Sequence, residues 1–240
     1  MTEYNTLAGR IRRASAGRIE LALAEGEALT ARDPGEALEA VPHGTPGRRR
    51  EFALGRYLAR QALGRMGYPA SPLPQGSDRA PMWPGAFVGS ITHCVGFCAA
   101  AVARRDHLAG IGIDAEPLGS LPAEVAPLVC TPDERVHHRR LPRLAGADWG
   151  MLAFGVKEAW FKCQWPLTGR FVEFPEVAVE FAAPEGAEGA LRIKDAGAFG
   201  LDEHAIGRWF VTEGFQVCLV FVAAGRWEKR PLGHPPAVPI

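Results

Sequence analysis

The spacing of apolar residues changes along this chain, and this change restricts the possible folds more than any other feature. Over residues 47–67 and again over 148–165, apolar side chains recur at helical spacing. Between residues 173 and 224 they alternate or run unbroken over strand-length stretches, which is typical of antiparallel pairs. Because helices and strands occur in both halves without strict strand–helix–strand alternation, we predict an α+β protein.

The charge of the chain is balanced, with 27 basic and 27 acidic residues among 240. Such a chain has no global basic field to attract nucleic acid or an anionic membrane, so we expect neither as a partner. Its longest apolar runs fall short of the roughly 18 residues of a membrane span, and its first residues contain no apolar signal core. We therefore expect a cytoplasmic protein, built as one large domain or two smaller ones.

A short apolar run, GIGIDAEP at residues 110–117, ends in two carboxylates separated by one alanine. In an extended strand alternate side chains share a face, so Asp114 and Glu116 are expected to project together. Ile111, Ile113 and Ala115 are expected to face the core. Two like charges this close repel each other. Either water screens them at a strand end, or a cation holds them together.

A second charged segment, FGVKEAWFK at residues 154–162, lies in the second predicted helix. Glu158 and Lys162 are four residues apart and share a helical face, with Lys157 turned about 100° away. A plain surface ion pair is one interpretation. The composition favours another, because the chain has only four lysines against 23 arginines and two of the four lie here. An ammonium is a compact point charge that suits a single phosphate oxygen.

The two segments together supply three carboxylates beside these lysines: Asp114, Glu116 and Glu158. Mg²⁺ takes oxygen ligands, keeps several waters and is commonly completed by substrate phosphates. The first segment alone is better explained as a solvated strand end. With the second segment, a metal–phosphate site is the better explanation.

A third segment, GSITH at residues 89–93, places small and hydroxyl residues before His93. Its backbone N–H groups and the Thr92 hydroxyl are suitable phosphate donors, with the imidazole as a further donor. The alternative is a structural histidine. Three arginines near one face of the first predicted helix form either part of an anion site or a solvated basic face: Arg49, Arg56 and Arg60.

Several common motifs are absent from the sequence. It contains no phosphate-binding G-x-x-x-x-G-K-[ST], no H-E-x-x-H and no G-x-S-x-G. His137 and His138 lack the neighbouring ligands that zinc requires, so we expect both at the surface. The five cysteines form no C-x-x-C pair, and we expect reduced, mostly buried thiols.

These segments resemble the 4'-phosphopantetheinyl transferases of the monomeric type that activate synthases for siderophores, peptides and polyketides. GIGIDAEP and FGVKEAWFK look like the hallmarks of that family, and the pair is far more specific than either half. The similarity extends to RRREFALGRYLARQAL, RAPMWPGAFVGSITHC and WPLTGRFVEF, and covers roughly residues 45–175. The chain departs from the family pattern at Gly155, where a serine is usual.

The resemblance implies two similar α/β halves related by a pseudo-twofold, with the active site in the cleft between them. Residues 1–110 would contact the nucleotide of coenzyme A, and residues 111–240 would carry the metal and the catalytic helix. The implied cofactor is Mg²⁺, with Mn²⁺ as an alternative, and coenzyme A is the implied substrate.

The resemblance also implies roles for individual residues. Asp114, Glu116 and Glu158 would hold the metal. Lys157 and Lys162 would face the pyrophosphate, and Lys162 would act in catalysis with Glu158. A further set would surround the 3'-phosphate and the nucleotide: Arg48, Arg56, Arg79, Thr92 and His93.

The implied reaction is transfer of the phosphopantetheine arm from coenzyme A to a serine of an apo acyl or peptidyl carrier protein, with release of 3',5'-ADP by a monomeric enzyme. Glu158 or a metal-bound water would take the serine proton. One alternative is a Mg²⁺-dependent nuclease, which the lack of a basic field disfavours. Another is a non-catalytic coenzyme A-binding or carrier-docking protein, which would not need all three carboxylates. The carrier that is served and the tolerance for acyl-coenzyme A stay open.

Overall fold

A computed structural model describes residues 6–31, 44–195, 197–198 and 200–225 of the chain. The described residues up to His107 form one compact unit, and those from Leu108 onwards form a second. The predicted boundary between residues 110 and 111 falls inside a strand of the second unit, and the predicted division of roles between the halves stays a prediction.

The first unit packs helices against a three-stranded antiparallel sheet of order β1-β3-β2. Its elements are α1 (Leu7–Ala14), β1 (Ile19–Glu25), α2 (Glu27–Ala31), α3 (Pro46–Arg65), β2 (Phe87–Cys94) and β3 (Phe97–Arg104). The Thr45 side chain caps α3 by accepting the backbone N–H of Arg48, and Gly67 follows the helix with φ 81°. The helix predicted over residues 47–67 is therefore confirmed within two residues.

The second unit packs α6 against a five-stranded antiparallel sheet of order β4-β8-β7-β6-β5. Its strands are β4 (Leu108–Pro117), β5 (Ala178–Phe181), β6 (Glu188–Lys194), β7 (Ala205–Val211) and β8 (Phe215–Ala223). Its helices are α4 (Ala126–Val129), α5 (Pro132–His138) and α6 (Trp149–Thr168). The antiparallel pairing predicted for the last quarter is confirmed.

The caps of α5 and α6 follow from the local sequence. Thr131 and Glu134, three residues apart, form a capping box at the start of α5. Asp148 caps α6 by accepting the N–H of Met151, and Gly169 ends the helix with φ 64°. The stretch predicted to form strands begins instead with a 3-10 turn, Phe174–Glu176, around Pro175, which has no N–H for a strand ladder.

The close contact between α6 and β4 depends on two glycines of the strand. A Cβ on Gly112 would lie 1.8 Å from the carbonyl oxygen of Ala159, and one on Gly110 would lie 2.8 Å from that of Cys163. Only the missing side chains let the helix backbone approach the strand this closely. This approach brings the charged residues of the two elements together.

The two units together confirm an α+β fold, and each contains a 20-residue helix packed on an antiparallel sheet. The pseudo-twofold stays a prediction. Within the described ranges, no helix has the length and apolar character to cross a membrane. All five cysteines are free thiols, four of them buried and Cys94 partly exposed, as expected.

Candidate functional site

Asp114 and Lys162 form a short ion pair where β4 meets α6. The Lys162 Nζ donates to Asp114 Oδ1 at 2.6 Å and to the carbonyl oxygen of Ile113 at 3.2 Å. The Asp114 side chain is 8% exposed, whereas that of Lys162 is 28% exposed. Asp114 lies within β4 opposite Cys218 of β8, so it is held by the sheet and is not at a strand end.

Glu116 and Glu158 complete what we call the acidic cluster, defined as Asp114, Glu116, Glu158 and Lys162. The pKa of Glu116 is raised to about 6, first by burial and then by the charges of Asp114 and Glu158, while Lys162 opposes the shift. Burial and the charge of Asp114 also raise the pKa of Glu158, again against Lys162. The four groups are therefore close enough to interact electrically, with three carboxylates against one ammonium.

The acidic cluster fits a hard divalent cation in its chemistry. It supplies carboxylate oxygens, which Mg²⁺ and Mn²⁺ accept, and an excess of negative charge in a half-buried place. In the described part of the chain, however, no three Asp, Glu, His or Cys side chains already converge as metal ligands. The ammonium of Lys162 instead contacts Asp114.

Gly155 borders this cluster from the first half of α6. A Cβ at this position would lie 3.1 Å from Cys218 Sγ and 3.4 Å from Asp114 Oδ2. The missing side chain therefore leaves room for the cysteine and the carboxylate behind the helix. The departure from the family pattern noted at Gly155 thus falls next to a predicted metal residue.

The surroundings of Lys157 contradict the expectation that it faces the pyrophosphate. Its Nζ donates to Val129 O at 2.7 Å, to Glu134 Oε2 at 2.8 Å and to Phe174 O at 3.0 Å. Its side chain is 1% exposed. Three acceptors use all three N–H bonds of an ammonium, so Lys157 is a structural residue here and does not face a pyrophosphate.

No sequence pattern predicted Glu134 as a functional residue or as the partner of Lys157. Glu134 accepts hydrogen bonds from Lys157, from Thr131 N and from Val179 N, and is 4% exposed. The sequence signals its capping role, but no local pattern connects it with a lysine 23 residues later. We call Lys157 and Glu134 the buried pair.

The expectation of two surface histidines beside this pair is met only in part, because both are partly buried. His137 Nε2 lies 3.2 Å from Phe181 O, and the ring of His138 lies 5.6 Å from that of Phe181. Burial lowers the pKa of His138 to about 4, because the apolar surroundings disfavour the imidazolium.

The arginines of α3 in the first unit differ in exposure. Arg48 and Arg49 are exposed and Arg60 is partly buried, whereas Arg56 is only 5% exposed. The Arg56 Nε donates to Leu73 O at 2.8 Å, and its guanidinium lies 4.4 Å from the centre of the Phe52 ring. The helix therefore does not present a uniformly solvated basic face, and that interpretation is wrong.

Thr92 and His93 lie near the end of β2, beside α3. His93 Nδ1 lies 3.8 Å from Glu51 Oε2, and the imidazole is about half exposed, whereas Thr92 is 2% exposed. Arg48 precedes Glu51 by one turn of α3, so the exposed groups of His93 and Arg48 belong to one region of this unit. Arg79 lies in a separate turn with φ 66°, where its carbonyl oxygen accepts from Gln75 Nε2.

Comparison with known proteins covers both units. Residues 36–103 match a model for the 4'-phosphopantetheinyl transferase N-terminal domain, and residues 110–217 match a model for the 4'-phosphopantetheinyl transferase superfamily. The chain is 42% identical over 188 residues to the 4'-phosphopantetheinyl transferase Svp of Streptomyces mobaraensis. The aligned residues cover 77% of this chain and 76% of the relative.

Two further relatives show the range of similarity. The chain is 37% identical over 180 residues to the 4'-phosphopantetheinyl transferase Npt of Nocardia iowensis, covering 70% of this chain and 79% of the relative. It is 36% identical over 131 residues to the enterobactin synthase component D of Escherichia coli K12, covering 51% of this chain and 57% of that relative.

Proposed function

This chain belongs to the 4'-phosphopantetheinyl transferase family and is a transferase, and from that premise we propose that it moves the 4'-phosphopantetheine arm of coenzyme A onto a serine of an apo acyl or peptidyl carrier protein. The proposal includes dependence on Mg²⁺, release of 3',5'-ADP and action as a monomer in the cytoplasm. The observation that carries it is the acidic cluster at the contact of β4 and α6.

We assign the metal to the three carboxylates of the acidic cluster. When bound there, a divalent cation would offset the negative charge that develops on phosphate oxygens during transfer. Asp114 is fixed by strand pairing, and Glu158 is on a helix anchored against that strand, so rigid elements hold both residues. Burial and, after it, repulsion from the neighbouring carboxylates raise the pKa of Glu116 and of Glu158, and a cation would relieve that repulsion.

Lys162 is the proposed partner of the pyrophosphate. It is partly exposed on a flexible four-carbon stem, and its ammonium carries a full positive charge to an edge of the cluster. A cation at the pyrophosphate stabilises the charge that develops on non-bridging and leaving oxygens more in the transition state than in the ground state. Lys157 has no such role, since its donors are already used within the fold.

The attacking serine must lose its proton during the transfer. Burial raises the pKa of Glu158, which makes its carboxylate a stronger base than an exposed glutamate. We propose Glu158 as the acceptor, and a water ordered by the cluster is the alternative.

The first unit is the proposed binding region for the nucleotide end of coenzyme A. Arg48 and His93 are exposed enough to bind the 3'-phosphate, and charge-assisted bonds to phosphate are among the stronger hydrogen bonds. Arg56 and Thr92 are buried, so we assign them a supporting role in the same unit, and Arg79 is proposed to lie near the base.

The test is mass spectrometry of an apo carrier protein incubated with this protein, coenzyme A and Mg²⁺. A gain of one phosphopantetheine arm, lost on chelation of the metal and restored by Mg²⁺, is the expected result. Glu158→Gln should lower single-turnover transfer by roughly 10²–10³, because it removes a metal ligand or base without removing bulk.

The matched control is Glu180→Gln in β5, an exposed glutamate that contacts Lys194. It changes the same charge in the same unit away from the cluster, so transfer should stay at the level of the unmodified protein. Unmodified carrier in every sample would overturn the proposed reaction. Full transfer by Glu158→Gln would overturn the role of that residue.

A further inference from the structure

The contact between Lys162 and Asp114 raises a conflict with metal binding at the same carboxylate. The ammonium lies 2.6 Å from Asp114 Oδ1 and also binds the carbonyl oxygen of Ile113. Mg²⁺ binds carboxylate oxygens at about 2.0–2.1 Å and keeps its own shell of waters around them. A cation of this kind on Asp114 would be a close neighbour of an ammonium held in its present position, and the two positive charges would repel.

The charges of the acidic cluster suggest how this conflict is resolved. Three carboxylates and one ammonium leave the cluster negative, and the ammonium is in contact with Asp114 in this state. A pyrophosphate brings further negative charge. If a divalent cation takes the carboxylates and the ammonium moves to the pyrophosphate, every charge keeps an opposite partner.

The surroundings of Lys162 allow such a movement. Its side chain is 28% exposed and makes two contacts through its ammonium within the second unit. Lys157, five residues earlier in the same helix, is 1% exposed and held by three acceptors. Helix α6 therefore carries one lysine held on every N–H and one that is partly exposed with fewer contacts.

We propose that Lys162 is an internal substitute for the metal ion: it holds Asp114 while the metal is absent and moves from Asp114 to the pyrophosphate of coenzyme A when the metal binds. This inference rests on the proposed function. It makes metal and coenzyme A bind cooperatively, because each removes an obstacle to the other. Linkage requires the two affinities to rise by the same factor.

The experiment measures Mn²⁺ binding to the full chain by electron paramagnetic resonance, without carrier protein, so that no turnover is needed. Lys162→Met should bind Mn²⁺ alone at least tenfold more tightly than the unmodified protein does. With saturating coenzyme A, the two proteins should bind Mn²⁺ with similar affinity, because the ammonium has by then left Asp114 in the unmodified protein.

The second condition separates occupation of Asp114 from a general effect of positive charge. A lysine that only raises the local potential would weaken Mn²⁺ binding equally with and without coenzyme A, and that result would overturn the proposal. Equal affinity of Lys162→Met and the unmodified protein for Mn²⁺ alone would also overturn it. Lys194→Met, which removes an exposed lysine in β6, is the charge-matched control and should leave both affinities unchanged.

Asp114→Asn distinguishes failure of this inference from failure of the proposed function. If Asp114→Asn loses Mn²⁺ binding and the unmodified protein modifies its carrier, but Lys162→Met gains nothing, only the substitution by Lys162 is wrong. If Asp114→Asn binds Mn²⁺ as the unmodified protein does, the metal is elsewhere, and both the inference and the proposed metal site are wrong.

Discussion

Two lysines of α6 stand five residues apart and have opposite surroundings. Lys157 is almost completely buried and donates to two carbonyl oxygens and to Glu134. Lys162 keeps part of its surface exposed and contacts Asp114. The same side chain on the same helix is therefore a structural tie in one position and a partly exposed charge beside a carboxylate in the other.

The helical repeat explains this difference. Five residues turn the side chain by about 140° around the helix axis, so the two lysines leave α6 in different directions. Lys157 points to the segment of α4 and α5 and to the turn at Phe174, while Lys162 points to β4. The buried side fixes the helix, and the fixed helix presents Glu158 and Lys162 to the strand.

The largest expected effect comes from removing the buried lysine. Lys157→Met should lower the free energy of unfolding by about 3–5 kcal/mol, because the Glu134 carboxylate is left buried without its cation and two carbonyl oxygens lose a donor. Lys162→Met breaks a partly exposed pair and should cost much less. Urea unfolding of both variants at neutral pH measures the difference.

A double variant checks the cause of that loss. Lys157→Met with Glu134→Gln removes the stranded charge and keeps one acceptor oxygen, which can serve only one of the two N–H groups, Thr131 or Val179, that bind different oxygens of the carboxylate. Its stability should lie above that of Lys157→Met alone. Equal stability of Lys157→Met and Lys162→Met would contradict the contrast between the two lysines.

Much of this contrast was accessible from the sequence, and part of it was not. Apolar spacing predicted α6, and the four-residue interval placed Glu158 and Lys162 on one face. The helix was confirmed, but an ion pair within it was not. The ammonium of Lys162 instead contacts Asp114, 48 residues away. A partner so distant in sequence depends on how the helix packs on the sheet.

Lys157 shows the limit of reasoning from residue type. Scarcity of lysine correctly marked the segment as unusual, but the same scarcity suggested a phosphate contact for both lysines. Burial decides between the two roles, and burial depends on Val129, Glu134 and Phe174 from three other segments. No local pattern around Lys157 encodes those neighbours.

An intermediate effect is expected at the glycine that lets α6 approach β4. Gly112→Ala would bring a Cβ to 1.8 Å from the carbonyl oxygen of Ala159, so the helix backbone must shift. We expect a loss of about 1–3 kcal/mol from this overpacking, and reduced transfer because Lys162 is displaced from Asp114. Thermal unfolding and single-turnover transfer measure the two effects.

Gly155→Ala is the matched control for that variant. Its Cβ would lie 3.1 Å from a cysteine sulfur, which a small side-chain movement of Cys218 can relieve, so stability should fall less than in Gly112→Ala. If Gly112→Ala keeps full transfer and stability, the close approach of helix and strand is not what positions the cluster. A larger loss in Gly155→Ala than in Gly112→Ala would lead to the same conclusion.

The smallest expected effect is a pH dependence on the buried side, at the end of α5. Burial lowers the pKa of His138 from 6.5 to about 4, so the native protein resists a proton that the unfolded chain accepts near pH 6.5. Between these two values the unfolded state binds more protons, and stability must fall as the pH falls through that window. Above pH 6.5 the imidazole is neutral in both states, and its stabilising contribution is complete.

His138→Phe isolates this contribution, because it keeps an aromatic ring next to Phe181 and removes only the titrating group. Within the described residues, His138 Nε2 makes no hydrogen bond, so the substitution breaks none at that atom. The free energy of unfolding of the variant, relative to that of the unmodified protein, should therefore rise as the pH is lowered from 8 to 5. The slope of this rise against pH should correspond to the uptake of at most one proton. The measurement is urea unfolding at several pH values, and the difference at pH 8 serves as the baseline for packing changes. A difference that stays constant from pH 8 to pH 5 would show that His138 titrates alike in the folded and unfolded chain. In that case burial on the side of α6 that carries the buried pair would not be enough to keep His138 uncharged.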